Sequence, residues 1–381
     1  MKTLNILTSD KRARQHGFSL IEIMVGIVIG LIAVLVIYQV FAAAEGIKRN
    51  TTSAGDAQQN GLLASFMLGV ELANASNGVA LVWQKLGSCP TTTSAATTLR
   101  PIPVLITDGG GPTIPDQFVI NYGISNQVIF APFKAASGTN AAYTVHAPIG
   151  FRAGDIIVAI SGGSPGAGTC AVSKVTDVSA PTAAVPTPPD DPTGDLNAGQ
   201  VTISHTNAPF AFTDDATLLN MGCGGPPNCP VSNAQRVRYN VDAAGTLYST
   251  SLWDATGAPQ SPLHPNPLAS NIVNMKLLYG IDSDGDGFLD TWVAPTDAWS
   301  DASVLAADAA TLRRIKAVRL GVIVRGEQWD RDAPDKTVTL FDDSGIPFPQ
   351  AFPRFDPGSG MGNYRYRSYE TIIPMRNPVW N

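Results

Sequence analysis

Gly17-Phe18-Ser19-Leu20-Ile21-Glu22 opens a run that carries no charged side chain from Ile23 through Ala44. As a helix, that run spans about 33 Å, close to the hydrocarbon thickness of a bilayer. Upstream, Lys2, Lys11, Arg12 and Arg14 face a single acid, Asp10, so the segment before the run is expected to stay on the cytoplasmic side of a membrane. An ordinary secretory signal fits poorly. Ala42-Ala43-Ala44 satisfies the A-x-A pattern, yet the run far exceeds the apolar core of such signals, roughly 7 to 15 residues. Glu22 is the second anomaly, because a carboxylate just inside an apolar span is costly and usually has a partner or a function.

The stretch Gly17 to Glu22, followed by an uncharged helix, resembles the processing site of type IV prepilins, G-F-[ST]-L-x-E. The resemblance implies that a prepilin peptidase removes residues 1–17 as a leader, cutting after Gly17 and N-methylating Phe18. Glu22 then acquires a role in assembly. When helices stack in a growing fibre, the carboxylate of one subunit neutralises the amine on Phe18 of a neighbour. Low dielectric strengthens that attraction and penalises a mismatch in axial register.

No proline occurs before Pro90, and Leu62, Leu63, Phe66, Met67, Val70 and Ala73 recur at spacings of three and four, the mark of an amphipathic stripe. The pattern predicts one helix from Phe18 to Ala75. Residues 18–45 form its transmembrane or fibre-core part, and residues 46–78 an amphipathic half laid on a globular head. Gly46, Gly55 and Gly61, with Thr51-Thr52-Ser53, weaken its middle and predict a local break or bend.

Residues 79–381 read as that head. Short β-prone runs alternate with Gly, Pro, Asn and Asp: 79–83, 118–122, 156–160, 200–204, 236–241, 272–279, 317–324 and 364–373. A short helix is expected from Ser303 to the Arg313–Lys316 region. The fold class is α+β, a long N-terminal helix packed on a large, mainly antiparallel β head. A proline-rich loop occupies 180–195. Tyr364, Arg365, Tyr366, Arg367 and Tyr369 alternate as the wet and buried faces of an edge strand do.

Charged residues make up 15% of the chain and the formal charge is −6, with no basic face in the head, so nucleic acid is not an expected partner. Catalytic patterns are lacking. Gly162-Gly163-Ser164-Pro165-Gly166 matches G-x-S-x-G in form, but Pro165 has no N–H to offer an oxyanion. The histidines have no metal spacing. Four cysteines, Cys89, Cys170, Cys223 and Cys229, allow three pairings. Cys223 and Cys229 flank the turn-rich Gly224-Gly225-Pro226-Pro227-Asn228 and are expected to bridge, leaving Cys89 for Cys170.

Asp282-Ser283-Asp284-Gly285-Asp286-Gly287-Phe288-Leu289-Asp290 follows the D-x-D-x-D-G-x-x-D arrangement of calcium loops. Carboxylates at alternate positions converge inside a tight turn, Gly287 permits that turn, and Phe288 offers a backbone carbonyl, a hard oxygen set suited to Ca²⁺. The twelfth position is Val293, so another ligand would have to complete the shell; the bland reading is an unmetallated Asp-Gly turn.

Three head segments, Ala153-Gly154-Asp155-Ile156-Ile157-Val158, Leu278 through Gly287, and Pro374-Met375-Arg376-Asn377, resemble the PilW family of minor pilins. That resemblance implies a single-pass inner-membrane protein with a periplasmic head. Its implied partners are the major pilin, other minor pilins and a tip adhesin, with which it primes assembly at the pilus tip. Two alternatives stand beside it: a pseudopilin of a type II secretion system, and a signal-anchored periplasmic enzyme.

Overall fold

The computed structural model describes residues 18–75, 102–123, 133–146, 150–160, 170–180, 200–206, 216–230, 232, 234–254, 260–330, 333, 335–354 and 362–375. The leader, the strand expected at 79–83, Cys89, the Gly162–Gly166 segment, residues 181–195 of the proline-rich loop, Arg376 and Asn377 lie outside them. The chain divides into two compact units, Met1–Thr52 and Ser53–Asn381.

Helix α1 runs Leu20–Asn74, 55 residues, within two residues of the predicted ends. It is unbroken through Gly46, Gly55 and Gly61, contrary to the expected break. A glycine costs a helix only about 1 kcal/mol relative to alanine, too little to interrupt so long a run of intrahelical bonds.

Among the described residues, all strand pairs of the second unit are antiparallel. A five-stranded sheet comprises β1 (Val104–Thr107), β2 (Gln117–Gly123), β9 (Ala234–Val241), β10 (Leu247–Ser251) and β11 (Pro265–Ala269), in that order. Six further strands close a barrel: β3 (Phe133–Gly138), β4 (Ala142–His146), β7 (Gln200–His205), β6 (Cys170–Val178), β5 (Asp155–Ile160) and β8 (Thr217–Cys223). A four-stranded sheet has the order β13 (Thr291–Val293), β12 (Ile272–Ile281), β14 (Ile315–Arg325), β17 (Tyr366–Pro374), and a hairpin pairs β15 (Lys336–Leu340) with β16 (Phe348–Phe352). Two short helices, α2 (Asp301–Ala306) and α3 (Ala309–Arg313), replace the one expected near Ser303; Ser300 and Asp308 cap them by accepting from the N–H groups of Ser303 and Thr311.

Strand parity explains how several cores share these sheets. On β5, Ile156, Val158 and Ile160 join the main core while Ile157 and Ala159 fill the barrel with Tyr143, Val145, Val201 and Leu218. On β12, Met275, Leu277, Tyr279 and Ile281 face the main core, and Leu278 faces a third cluster beneath the hairpin with Val338, Leu340 and Phe341. Continuous apolar runs in these strands thus reflect burial on both faces.

The second unit's part of α1 joins the main core through Ala57, Ala64, Leu68, Leu72 and Ala75. This corrects the stripe read from the sequence: Leu62, Leu63, Phe66 and Val70 are exposed. The buried face follows small residues because the sheet comes close there. A side chain on Gly61 would run into the ring of Tyr369 on β17. Lower on the same face, Tyr122 donates its hydroxyl to Glu71 Oε2 at 2.9 Å. Strand β17 is an edge of its sheet, with Tyr366 buried and Arg367 exposed, in agreement with the alternation of its sequence.

Candidate functional site

Two features stand out, the exposed helix at the N-terminus and the acidic loop between β12 and β13. At the helix start, the N–H groups of Glu22 and Ile23 both donate to the carbonyl of Ser19, at 3.0 and 3.2 Å. Glu22 sits in the first turn, where the unsatisfied N–H groups of a helix favour an acid. Phe18 is 80% exposed, and Ile21, Val28, Leu35 and Phe41 are each more than half exposed. Leucine, isoleucine and valine side chains cover every face of this segment, so no rotation of the helix would place a polar face toward water. Such a surface requires lipid or the apolar helices of other chains. By length and composition α1 is capable of crossing a membrane.

The acidic loop is built by turn chemistry. Gly285 and Gly287 adopt positive φ, +83° and +95°, a conformation other residues enter at a cost. Asp282, at 2% exposure, accepts from Gly285 N at 2.6 Å with Oδ1 and from Gly287 N at 2.9 Å with Oδ2. Lys316 Nζ stands 3.4 Å from the same Oδ2. Asp284 accepts from Asp286 N, and Asp286 accepts from Phe288 N. Asp290 Oδ2 closes the loop by accepting from Ser283 N at 2.6 Å and Ser283 Oγ at 2.7 Å.

Carboxylate oxygens of Asp282, Asp284 and Asp290 lie within 4.8 Å of one another; Asp286 is outside that group. Three convergent hard oxygens fit Ca²⁺, although both oxygens of Asp282 already accept from backbone N–H groups. Those donors, with Lys316, relieve much of the repulsion among the acids. Partial burial pushes the Asp282 carboxyl up, but Gly285, Gly287 and Lys316 outweigh it and hold it below the ordinary value. Hydrogen bonds from Ser283 hold Asp290 low as well. The contribution of both acids to stability is therefore complete above the ordinary aspartate value of 3.8 and is lost as pH falls through their lowered folded values.

Cys223 and Cys229 form the expected disulfide, with Cα atoms 6.3 Å apart. Cys170 is disulfide-bonded too.

Two spans of the chain resemble known families. Residues 12–38 match the prokaryotic N-terminal methylation motif. Residues 238–377 match the family described as Type IV pilus-assembly protein W, a span that begins in β9 and takes in the four-stranded sheet, the acidic loop and the β15–β16 hairpin. A type IV-like pilin from Thermus thermophilus shares 12% identity over 60% of this chain and 85% of that one, with a TM-score of 0.22, too low to carry any argument. No curated protein matches the chain in sequence. A methylation motif heading a long apolar helix, with a β-rich head behind it, defines a type IV pilin-like protein. Within that class residues 238–377 resemble the PilW family of pilus-assembly proteins, and the families matched are structural in kind.

Proposed function

We propose that the chain is a membrane-inserted prepilin which, once cut after Gly17, takes part in priming a type IV pilus and in forming the complex at its tip. The observation that carries this reading is the charge-free run of α1 behind Glu22, apolar on every face of the helix and long enough to cross a membrane. Prepilin peptidase acts at Gly17 and Phe18. The inner membrane holds the helix before assembly, with the head on the periplasmic side, and the helices of the major pilin and other minor pilins cover it afterwards; a tip adhesin completes the assembly. Glu22 sets the register by pairing with the amine of a neighbouring chain.

Glu22→Ala tests this directly. The variant is expected to be cleaved normally, while its recovery in sheared fibres falls at least tenfold, because removing one partner of a charge pair in low dielectric costs about 3–5 kcal/mol. Equal recovery of the variant and the parent would contradict the role given to Glu22.

The acidic loop is assigned Ca²⁺ as its ligand, held by Asp282, Asp284 and Asp290, with Asp286 and the carbonyl of Phe288 available to a tightened loop. The ion would fix the turn between β12 and β13. Calorimetry of the purified protein should show heat of binding for Ca²⁺ that disappears in Asp284→Asn and weakens below the pH at which Asp282 and Asp290 protonate. A flat titration at millimolar Ca²⁺ would remove the ion from the account.

A further inference from the structure

Strand β12 carries a lysine in a place where an uncharged residue would be expected. Lys276 is fully buried, and its Nζ lies 2.6 Å from Oδ1 of Asp116, whose side chain is 1% exposed. A second acid, Asp108, places Oδ1 3.4 Å from the same nitrogen. The backbone locks this contact from both sides: Asp116 N donates to Met275 O at 2.8 Å, and Leu277 N donates to Asp116 Oδ2 at 3.0 Å. Gly109 N donates to Asp116 Oδ1 at 3.0 Å. The ring of Phe348, its centroid 5.4 Å from Nζ, flanks the amine.

An amine held 2.6 Å from one oxygen of a carboxyl group, away from water and with little freedom to leave, is kept beside a carbon it could attack. In low dielectric, passing one proton from ammonium to carboxylate relieves two buried charges and produces a free amine beside a carboxylic acid. We propose that Lys276 and Asp116 condense to an intramolecular isopeptide bond that staples the 108–116 loop to β12, with Asp108 as the proton carrier.

The step balances without a co-reactant. The Nζ lone pair attacks Cγ of protonated Asp116, the N–C bond forms, and the carbonyl π pair moves onto oxygen. The N–H of Leu277, on Oδ2, stabilises that charge, while Oδ1, which took the proton from Lys276, becomes the departing hydroxyl. The Asp108 carboxylate takes a proton from nitrogen and returns it to the departing hydroxyl. The C–O bond breaks, one water leaves, and Asp108 is regenerated. Its side chain is 27% exposed, which gives the proton and the water a path to solvent. Burial raises the Asp116 carboxyl above its ordinary value, against the lowering by Lys276, Gly109 and Leu277, so its protonated form is within reach.

The test uses the full chain extracted from membranes, reduced, digested with trypsin and analysed by mass spectrometry. The expected result is a missed cut after Lys276 and a branched peptide joining the Lys276 and Asp116 segments, one water lighter than their sum. Asp108→Asn, with circular dichroism confirming its fold, is expected to lose the branched peptide. Complete cleavage after Lys276, with the two peptides separate, would overturn the proposal and leave a buried ion pair. A branched peptide of equal yield in Asp108→Asn would overturn the part given to Asp108.

Discussion

Leu35 and Leu68 are the same residue on the same helix, yet Leu35 is 58% exposed and Leu68 is fully buried. Their local sequences differ in polarity, Leu35 lying in the charge-free run 23–44 and Leu68 in the amphipathic half near Glu71, but both are helix-forming. The difference is what the rest of the chain supplies. Around Leu68 the five- and four-stranded sheets provide a matching surface, so burial stabilises the fold. Within its own unit, among the described residues, Leu35 has no such surface, and lipid or another subunit can remove its apolar area from water. On the proposed function, the first part of α1 keeps its apolar surface for lipid or other subunits, whereas from Ser53 onward Ala57, Ala64, Leu68, Leu72 and Ala75 bury theirs in the head.

The largest effect on the head should come from Leu68→Ala, which leaves a cavity and costs about 2–5 kcal/mol; a large drop in the thermal midpoint is expected, and an unchanged midpoint would break the contrast with Leu35. Gly61→Val should follow at about 1–3 kcal/mol, since the added methyl groups push into the ring of Tyr369. The same thermal scan reads it, and the double variant Gly61→Val, Tyr369→Ala should recover part of the loss. Phe66→Ser is the smallest for the fold, within about 0.5 kcal/mol, because the side chain is 70% exposed. Its recovery in sheared fibres should nevertheless decline. Full recovery would show that the exposed face from Leu62 to Val70 has no partner.

The helix and most central strands were legible because periodicity and composition act locally. Residues 118–122, 156–160, 272–279 and 317–324 read as strands and lie inside β2, β5, β12 and β14. The loop of Asp282 to Asp290 was legible for a similar reason, since turn chemistry is written within nine residues, and the Cys223–Cys229 bridge follows from a short loop. The buried face of α1 was misread because spacing rewards large apolar side chains. Burial at Ala57, Gly61 and Ala64 depends instead on how closely a distant sheet approaches. Closure of the barrel was hidden in pairings between short strands far apart in sequence, such as β3 with β8. Lys276 gave no signal at all, for a single lysine in Ile272-Val273-Asn274-Met275-Lys276-Leu277 looks like a solvated position until Asp116, 160 residues away, is folded against it.

All of this depends on α1 being freed of its basic tail so that its charged end meets Glu22 of a neighbour. The most direct measurement is N-terminal sequencing, with intact mass, of the protein purified from membranes. The account predicts a chain that begins at N-methylated Phe18. A chain that retains Lys11, Arg12 and Arg14, or one that begins at Glu45, would contradict it.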